Sequence, residues 1–525
     1  MSDTPKVTLD SSFVQKSRRS LLRIIFGRTM LIFLLLSINF GIVFYILFGL
    51  AKDIPILFGS IEAFTAALLI YVINSRDNPS VKLSWAFVIA TVPLLGAVLY
   101  FFVRFDLGHR LNRKMLNYSL ESSFPFLPEQ QNLLKTVKEE DKSLYNLAHY
   151  LRSHGNFPVY ENSEVTYFPV GEAMFEEMLF QLEQAEKFIF MEYFLVSEGY
   201  MWEKLLDVMK RKAGEGVEVR FLYDGMNAFI NLPYGYPAEL KKVGIQCKMF
   251  APVRPFVSTH YNNRDHRKIM VIDGHTAFTG GINLEDQYIN KKRLYGHWKD
   301  TAVMVKGEAV QSFTMMFLQM WNYNERERIF APYLRLPESP PKAEGYVIPY
   351  ADSPMDEENV GEMVYLDMLN RATDYAWIMT PYLIPDNELL TALQFAAKRG
   401  VDVRLILPGI PDKRTVYALS RSYYRQLLDA GVKIYEYIPG FVHAKVALCD
   451  GIHAVVGTIN LDYRSLYHHF ECAAYLYRTP ALETIHADFH STLEQCRRIY
   501  PEHLRNQPLW GRIFAYLAKF VPPLM

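Results

Sequence analysis

The sequence predicts an α/β protein in which N-terminal transmembrane helices precede two related α/β domains that share one active site. Three observations support this prediction. Long apolar runs are concentrated before residue 115, short apolar runs alternate with amphipathic stretches after it, and one polar motif occurs twice. The 525 residues are enough for two cores besides a membrane anchor. The predicted units are 1–115, 116–345 and 346–525.

The predicted anchor rests on three hydrophobic runs, at residues 30–50, 54–73 and 83–103. Each has about 20 residues, which is enough for a helix to cross a hydrocarbon core. A cleavable signal peptide is the alternative for the first run, but further apolar runs follow it. We therefore expect a multi-pass protein of the cell membrane. Basic residues flank the runs at both ends, so the sequence leaves the number of crossings and the side of the catalytic domains open.

Composition excludes several classes of function. Lys and Arg number 56, and so do Asp and Glu, so no overall positive field attracts nucleic acid. The four cysteines have no CxxC spacing and no zinc-type grouping with histidines. We therefore expect no metal, no cofactor and no nucleic-acid partner, whereas the oligomeric state is not indicated.

The repeated motif is HxKx4Dx6GxxN, and its two copies are 177 residues apart without a gap. They occupy residues 266–283 and 443–460. The motif residues are His266, Lys268, Asp273 and Asn283 in the first copy, and His443, Lys445, Asp450 and Asn460 in the second. One such match could arise by chance, but two matches in the same context are not expected to.

That context is a pair of strand-like runs before each copy, with a helical stretch between them. The runs are 188–194 and 216–222 before the first copy, and 377–383 and 400–407 before the second. Strand, helix and strand in succession indicate a parallel sheet covered by helices. Two such units predict a pseudo-twofold pair.

Strand geometry explains the spacing within the motif. Residues two apart in a strand share a face, so His266 projects with Lys268, and His443 with Lys445. The Asp-Gly pair after each strand predicts a tight turn, which returns the motif Asn toward the same end. His, Lys and Asn can thus converge on one phosphate. Cleavage of a phosphodiester needs a nucleophile, donors to the oxygens and an acid for the leaving alkoxide, and two imidazoles can be nucleophile and acid.

These motifs resemble the paired HKD signature of the phospholipase D superfamily, over about residues 155–500. Further segments resemble bacterial cardiolipin synthases, namely 76–79, 263–268, 277–283, 380–385, 420–424 and 435–445. There are two departures. Gly281 and Thr458 stand where many superfamily members have Ser, and three hydrophobic runs replace the two common in the family.

The resemblance implies metal-free transfer of a phosphatidyl group between two phosphatidylglycerol molecules, giving cardiolipin and glycerol through a phosphohistidine. It implies His266 as the nucleophile and His443 as the acid and then the base, with the reverse assignment as the alternative. The residues implied to hold phosphate oxygens are Lys268, Lys445, Asn283 and Asn460. A membrane phospholipase D or another phosphatidyltransferase, such as a phosphatidylserine synthase, is the alternative function, and a nuclease is less favoured.

Other carboxylates and the C-terminus complete the predictions. Asp273 and Asp450 are motif residues, but their place at a strand-to-turn junction suits a structural role as well as a catalytic one. An imidazole also needs an orienting carboxylate, which superfamily members place further downstream. The candidates are Asp300 and Glu471. Residues 508–521 form an apolar stripe at helical spacing, as in an interfacial helix or one packed on the second domain.

Overall fold

The structure is a computed structural model that describes residues 55–104, 107–128, 130–252, 263–334, 339–356 and 358–504, together with Gly41 and Lys519. Apart from those two single residues, the predicted run 30–50 and the predicted helix 508–521 lie outside the described residues.

Three helices, α1 (Pro55–Ile73), α2 (Pro79–Thr91) and α3 (Pro93–Arg104), form the N-terminal part of the described chain. They pack together around a small apolar core. The hydrophobic run 83–103 forms two helices and not one, because α2 ends before Pro93, whose nitrogen has no hydrogen to continue the helical ladder. None of the described helices combines the length and the apolar character needed to cross a membrane.

The first half of the chain continues with the helices α4 (Leu107–Ser123), α5 (Gln131–Glu140), α6 (Lys142–His154), α7 (Gly171–Glu183), α8 (Tyr200–Gly214), α9 (Asn227–Ile230), α10 (Tyr236–Lys242) and α11 (Val310–Asn322). Its strands are β1 (Ser163–Phe168), β2 (Phe188–Tyr193), β3 (Glu218–Asp224), β4 (Gln246–Phe250), β5 (Arg264–Asp265), β6 (Lys268–Ile272), β7 (Thr276–Gly280), β8 (His297–Lys299) and β9 (Ala302–Gly307).

The second half has the helices α12 (Val360–Arg371), α13 (Asn387–Lys398), α14 (Arg414–Asp429), α15 (Tyr463–Tyr467) and α16 (Ala481–Leu493). Its strands are β10 (Tyr346–Asp352), β11 (Tyr375–Met379), β12 (Leu383–Ile384), β13 (Asp402–Pro408), β14 (Lys433–Tyr437), β15 (Gly440–Val442), β16 (Val446–Cys449), β17 (His453–Gly457), β18 (Leu461–Asp462), β19 (His469–Tyr477) and β20 (Cys496–Ile499). Short 3₁₀ helices span Phe124–Phe126, Ala331–Tyr333 and Pro501–Leu504.

The two large sheets share a strand order, and the second has one additional strand, β20, at its edge. The first runs β1-β9-β7-β6-β2-β3-β4, and the second runs β10-β19-β17-β16-β11-β13-β14-β20. In both, the predicted strand–helix–strand units form parallel pairs, β2 with β3 and β11 with β13. The prediction of two related α/β halves is therefore confirmed.

The sheets pack face to face across a shared core that also contains α11 and α16. Helices α7, α8 and α10 cover the outer face of the first sheet, and α6, α12, α13 and α14 cover that of the second. Two of the predicted unit boundaries can be located in this packing. Residue 115 falls inside α4, whose Ser119 hydroxyl donates to the Gln319 carbonyl of α11. Residues 131–154, assigned to the first unit, pack on the second because the apolar face of α6 joins its core.

Candidate active site

Each motif begins just before a β-hairpin and extends through it. The first hairpin joins β6 to β7, and the second joins β16 to β17. The turn residues Asp273 and Gly274 have φ angles of +53° and +74°, and Asp450 and Gly451 have +53° and +67°. Each loop has three residues between the last paired positions of its strands, and its first two residues have positive φ angles, which Asp and Gly tolerate better than most residues.

The motif aspartates hold these turns against the start of the neighbouring strand. The Asp273 carboxylate accepts three backbone N–H bonds from residues 186–188, at 2.7 to 2.8 Å. Asp450 accepts three from residues 373–375, and a fourth bond from the Thr373 hydroxyl. Both lie at the far end of the strand from the motif histidine. This geometry favours the structural role of Asp273 and Asp450.

Short strands that pair across the two halves bring the histidines together. Strand β5, just before His266, pairs in parallel with β19, and β15, just before His443, pairs with β8. The backbone N–H of His266 donates to the carbonyl oxygen of Phe470 at 2.9 Å, and that of His443 donates to the carbonyl oxygen of Lys299 at 2.7 Å. The backbone of each half thus fixes the other half's histidine.

The two candidate orienting carboxylates follow directly in those partner strands. His266 Nδ1 lies 2.9 Å from both carboxylate oxygens of Glu471, and His443 Nδ1 lies 2.7 Å from Asp300 Oδ2. All four side chains are buried. A carboxylate at Nδ1 keeps the ring proton on that nitrogen, which leaves the lone pair on Nε2 free for chemistry.

Burial dominates the electrostatics of the imidazoles. It lowers the pKa of His266 to about 3 and that of His443 to about 4, against the opposing attraction of Glu471 and Asp300. Burial opposes ionisation of both carboxylates as well, but the contacts with the histidines outweigh it and lower the pKa of Asp300 and of Glu471. At neutral pH each pair is therefore a neutral imidazole beside an ionised carboxylate.

The motif lysines are buried beside their histidines. Lys445 Nζ lies 2.9 Å from His443 Nδ1, and Lys268 Nζ donates to the backbone carbonyl of His266. Burial lowers the pKa of Lys268 to about 8 and that of Lys445 to about 7. The charge of Lys268 also lowers the pKa of both His443 and Lys445 in the other half, so the two half-sites lie close enough to interact.

The motif asparagines differ between the halves. Asn283 Oδ1 accepts the N–H of Leu195 at 3.0 Å, and its Nδ2 donates to the Tyr288 hydroxyl at 2.7 Å. Asn460 Oδ1 is buried without a hydrogen-bond partner in the described chain. Buried polar atoms are nearly always paired, so Asn460 Oδ1 has capacity left to accept a hydrogen bond from a ligand, whereas only the Nδ2 group of this amide could donate to a phosphate oxygen.

Gly281 and Thr458 occupy equivalent positions and support the two carboxylates differently. The Thr458 hydroxyl donates a short hydrogen bond to Glu471. At Gly281 an added Cβ would lie 2.0 Å from Asp300 Oδ1, so only glycine leaves room for that carboxylate. This explains why the two halves differ at a position where the sequence departs from its relatives.

Sequence reasoning missed the rings that enclose the imidazoles. Phe194 lies 5.1 Å from His266, and Trp298 and Tyr288 lie 5.2 and 5.4 Å from His443, measured between ring centroids. It also missed His469, whose ring lies 5.3 Å from that of His266. The sequence contained a signal for two of these residues. Trp298 and His469 each stand two residues before an orienting carboxylate, and residues two apart in a strand lie on the same face.

Two groups of side chains in the described chain have the chemistry and spacing of metal ligands. His266, His469 and Glu471 form one, and Glu362, Asp386 and Glu388 form the other. Spacing along the sequence did not indicate either group. In the first group, His266 lies far along the chain from His469 and Glu471. The pairing of β5 with β19 brings the three residues together.

Two similar sheets that place a histidine and a lysine from each half around one site define a phospholipase D-like protein. The family description "Cardiolipin synthase, PLD-like domain" matches residues 178–321 and 365–493, and "Phospholipase_D-nuclease N-terminal" matches 63–104. The chain belongs to the cardiolipin synthase family of phospholipase D-like proteins.

Similar proteins cover most of the chain. An uncharacterized protein of Streptococcus mutans is 52% identical over 87% of this chain and 99% of its own length. A cardiolipin synthase of Alkalihalophilus pseudofirmus is 36% identical over 87% of this chain and 91% of its own. The crystal structure of a phosphatidylserine synthase of Haemophilus influenzae has a TM-score of 0.56 at 14% identity, covering 73% of this chain and 100% of that one. This last likeness concerns the fold alone.

Proposed function

We propose that this protein is a cardiolipin synthase that transfers the phosphatidyl group of one phosphatidylglycerol molecule to a second one and releases glycerol. The observation that carries the proposal is the pair of buried imidazoles, each held at Nδ1 by an ionised carboxylate from the other half. Two imidazoles with free Nε2 atoms supply the nucleophile and the acid–base group of a two-step phosphoryl exchange. The names of the similar proteins support the choice of substrate.

In the first step, His266 Nε2 attacks the phosphorus of phosphatidylglycerol, and the bond from phosphorus to the glycerol oxygen breaks. His443 gives a proton to that oxygen, so glycerol leaves as the neutral alcohol. The positive charge that develops on the His266 ring is stabilised by Glu471, which lies at its Nδ1. The product is a phosphatidyl group bound to His266.

In the second step, a hydroxyl of another phosphatidylglycerol gives its proton to His443 and attacks the same phosphorus. The bond from phosphorus to His266 breaks, cardiolipin leaves, and both histidines return to their starting protonation states. We assign the nucleophilic role to His266 and the acid–base role to His443, as the resemblance of the two motifs implies, and the histidine that carries the covalent adduct tests this assignment.

The lysines and Asn460 would bind the phosphate oxygens. Lys268 and Lys445 bring two positive charges into a buried space, which matches the negative charge of a phosphodiester. An anion bound between them would favour the charged form of both lysines and of His443. Substrate binding would therefore supply the protonated imidazole that the first step requires.

Product analysis tests this proposal against the related reactions. Purified protein is incubated with labelled phosphatidylglycerol alone, and cardiolipin, phosphatidic acid and glycerol are resolved. We expect cardiolipin and glycerol in equal amounts, and loss of both in His266→Ala and His443→Ala. His275→Ala is a matched control, because His275 lies in the same hairpin but is half exposed. Phosphatidic acid as the main product would instead indicate a phospholipase D.

We also infer that the N-terminal helices anchor the protein at the cell membrane as a multi-pass segment. Helices α1–α3 expose an unusual number of large apolar side chains, a feature of surfaces that contact lipid or protein. These side chains are Phe64, Ile70, Tyr71, Ile73, Leu83, Phe87, Leu94, Val98, Leu99 and Val103. Resistance of the full-length protein to carbonate extraction from membranes tests the inference, and release into the supernatant would contradict it.

A further inference from the structure

The surroundings of His266 contain one titratable side chain that the proposed reaction does not use. His469 packs beside His266, and its Nδ1 lies 3.6 Å from Glu471 Oε1. That distance is too long for a hydrogen bond, and this buried nitrogen has no hydrogen-bond partner in the described chain. A buried nitrogen left in this state beside a carboxylate has the capacity for another ligand.

We propose that His266, His469 and Glu471 form a zinc site. Two imidazole nitrogens and one carboxylate are a ligand set typical of Zn²⁺, which leaves the fourth tetrahedral position open. Zinc bonds of about 2.0–2.1 Å at tetrahedral angles place neighbouring ligand atoms about 3.3 Å apart. The separations in the structure, 2.9 Å from His266 Nδ1 to Glu471 and 3.6 Å from His469 Nδ1 to Glu471, lie on either side of that value.

The other half-site cannot form an equivalent centre. Trp298 stands two residues before Asp300, as His469 stands two residues before Glu471, and its ring lies 5.2 Å from that of His443. An indole offers a hydrogen-bond donor and no lone pair for a metal. Of the two half-sites, only the one at His266 is therefore expected to bind zinc.

Zinc at this site would inhibit the transfer, a consequence that rests on the proposed function. Without metal, the Nδ1–H group of His266 donates a hydrogen bond to Glu471. A metal bound to His266 Nδ1 takes the position of that proton. The neutral ring keeps one proton, which must then sit on Nε2. Nε2 thereby loses the lone pair that attacks phosphorus, and Glu471 can no longer stabilise the charged ring. The active form is the metal-free one.

Direct binding of Zn²⁺ to the detergent-solubilised full-length protein tests the site without any substrate. Zinc is titrated in competition with a chromophoric chelator. His486 and His490 must be controlled for, because they form an exposed pair on α16 with their Nε2 atoms 3.3 Å apart. All measurements are therefore made in a His486→Asn background. We expect one tight site per chain there, weakened at least about 100-fold by the further change His469→Asn.

Two outcomes of this titration would overturn the site. One is equal zinc affinity with and without His469→Asn, and the other is the absence of any tight site in the His486→Asn background. The melting temperatures of the His486→Asn protein with and without His469→Asn are compared in the absence of metal. Equal values show that the weaker zinc binding does not result from unfolding. Mg²⁺, which prefers oxygen ligands, should not compete with zinc.

Inhibition is measured in the labelled phosphatidylglycerol assay. Zinc should stop the His486→Asn enzyme, EDTA should restore it, and the added His469→Asn change should make transfer resistant to the same zinc concentration. Tight binding without inhibition would contradict the blocking of His266. The zinc site and the proposed function can fail separately. Zinc binding without cardiolipin formation would support the site and contradict the function. Cardiolipin formation without zinc binding would support the function and contradict the site.

Discussion

His266 and Glu471 belong to different halves of the molecule, yet the imidazole Nδ1 lies 2.9 Å from both carboxylate oxygens. The relation is reciprocal, because Asp300 of the first half lies 2.7 Å from His443 Nδ1 of the second. Each histidine thus depends on the opposite sheet for its orientation. Neither half by itself contains both a catalytic histidine and the carboxylate that orients it. This is a physical reason for the two halves to be held in one chain.

The crossed pairing predicts different effects for the two carboxylate variants on the covalent intermediate. With an activated donor whose leaving group needs no proton, Asp300→Asn impairs only His443, so a phosphatidyl adduct should accumulate on His266. Glu471→Gln impairs the nucleophile itself and should give little adduct. Turnover of the natural substrate should fall about 10²- to 10⁴-fold in both. Mass spectrometry of quenched protein locates the adduct.

His443→Ala and His266→Ala are the reference variants for that experiment and should behave like Asp300→Asn and Glu471→Gln, respectively. An adduct on His443 would reverse the assignment of the two roles. If Glu471→Gln accumulates adduct on His266 and Asp300→Asn does not, the functional pairing is the opposite of the structural one.

Gly281→Ala should slow transfer by displacing Asp300 from His443. The added Cβ would lie 2.0 Å from Asp300 Oδ1, and misplacement of a catalytic group by about 1 Å can cost about 100-fold in rate. Gly214→Ala is the matched control, because a Cβ there meets no atom within 4 Å. The measurement is kcat with phosphatidylglycerol. Equal rates in both variants would mean that Asp300 tolerates a shift.

Catalytic efficiency should fall as the pH rises through about 7 to 8. The pKa is lowered to about 7 for Lys445 and to about 8 for Lys268, so both lose their charge in this range and bind phosphate less well. The imidazoles stay unprotonated in the free enzyme well below pH 6, because their pKa values are lowered to about 3 and about 4. The profile of kcat/KM should therefore show no separate step at the usual pKa of histidine. It should decline gradually above about pH 4, because the first step requires a protonated His443.

Lys445→Arg separates this explanation from general alkaline inactivation. Arginine keeps its charge at these pH values. The fall in kcat/KM at alkaline pH should therefore occur at a higher pH in this variant, even if the maximal rate is lower. An unchanged alkaline limb in Lys445→Arg would show that Lys445 is not the titrating group.

Asp273→Asn and Asp450→Asn should destabilise the protein more than they impair the chemistry. Each carboxylate holds three backbone N–H groups at the start of a strand, and weakening these bonds should cost about 1–3 kcal/mol of unfolding free energy. Thermal melting in detergent measures this change, with the exposed neighbour Asp374→Asn as the control. Complete loss of kcat at an unchanged melting temperature would return these residues to a catalytic role.

The proposed transfer should proceed in the presence of EDTA. The two histidines make and break the bonds to phosphorus, and Lys268 and Lys445 supply the positive charge that a metal ion provides in other phosphoryl transfer enzymes. The assay compares rates with and without chelator on protein purified without added metal. Loss of activity that Mg²⁺ or Mn²⁺ restores would contradict the mechanism.

Repetition made much of the fold and site predictable from the sequence. The strands β2, β3, β11 and β13, their parallel pairing and the Asp-Gly turns follow from local rules of alternation and backbone conformation. The same rules predicted the motif residues His266, Lys268, His443 and Lys445. Local rules did not reveal that residues 131–154 pack on the second half. That contact depends on which apolar face of a sheet or helix the other elements leave uncovered, and this is set by the tertiary structure.

The sequence by itself determined the chemistry, since the residue types and spacing of the two motifs define two imidazoles and two lysines for one phosphate. Only the tertiary structure decided which carboxylate serves which histidine, and that His469 joins His266 and Glu471. The physical reason is that a hydrogen bond or a metal bond depends on distances of about 3 Å or less, which spacing along a chain fixes only within one local element. Here those distances are set by β5 pairing with β19 and β15 pairing with β8, across the two halves.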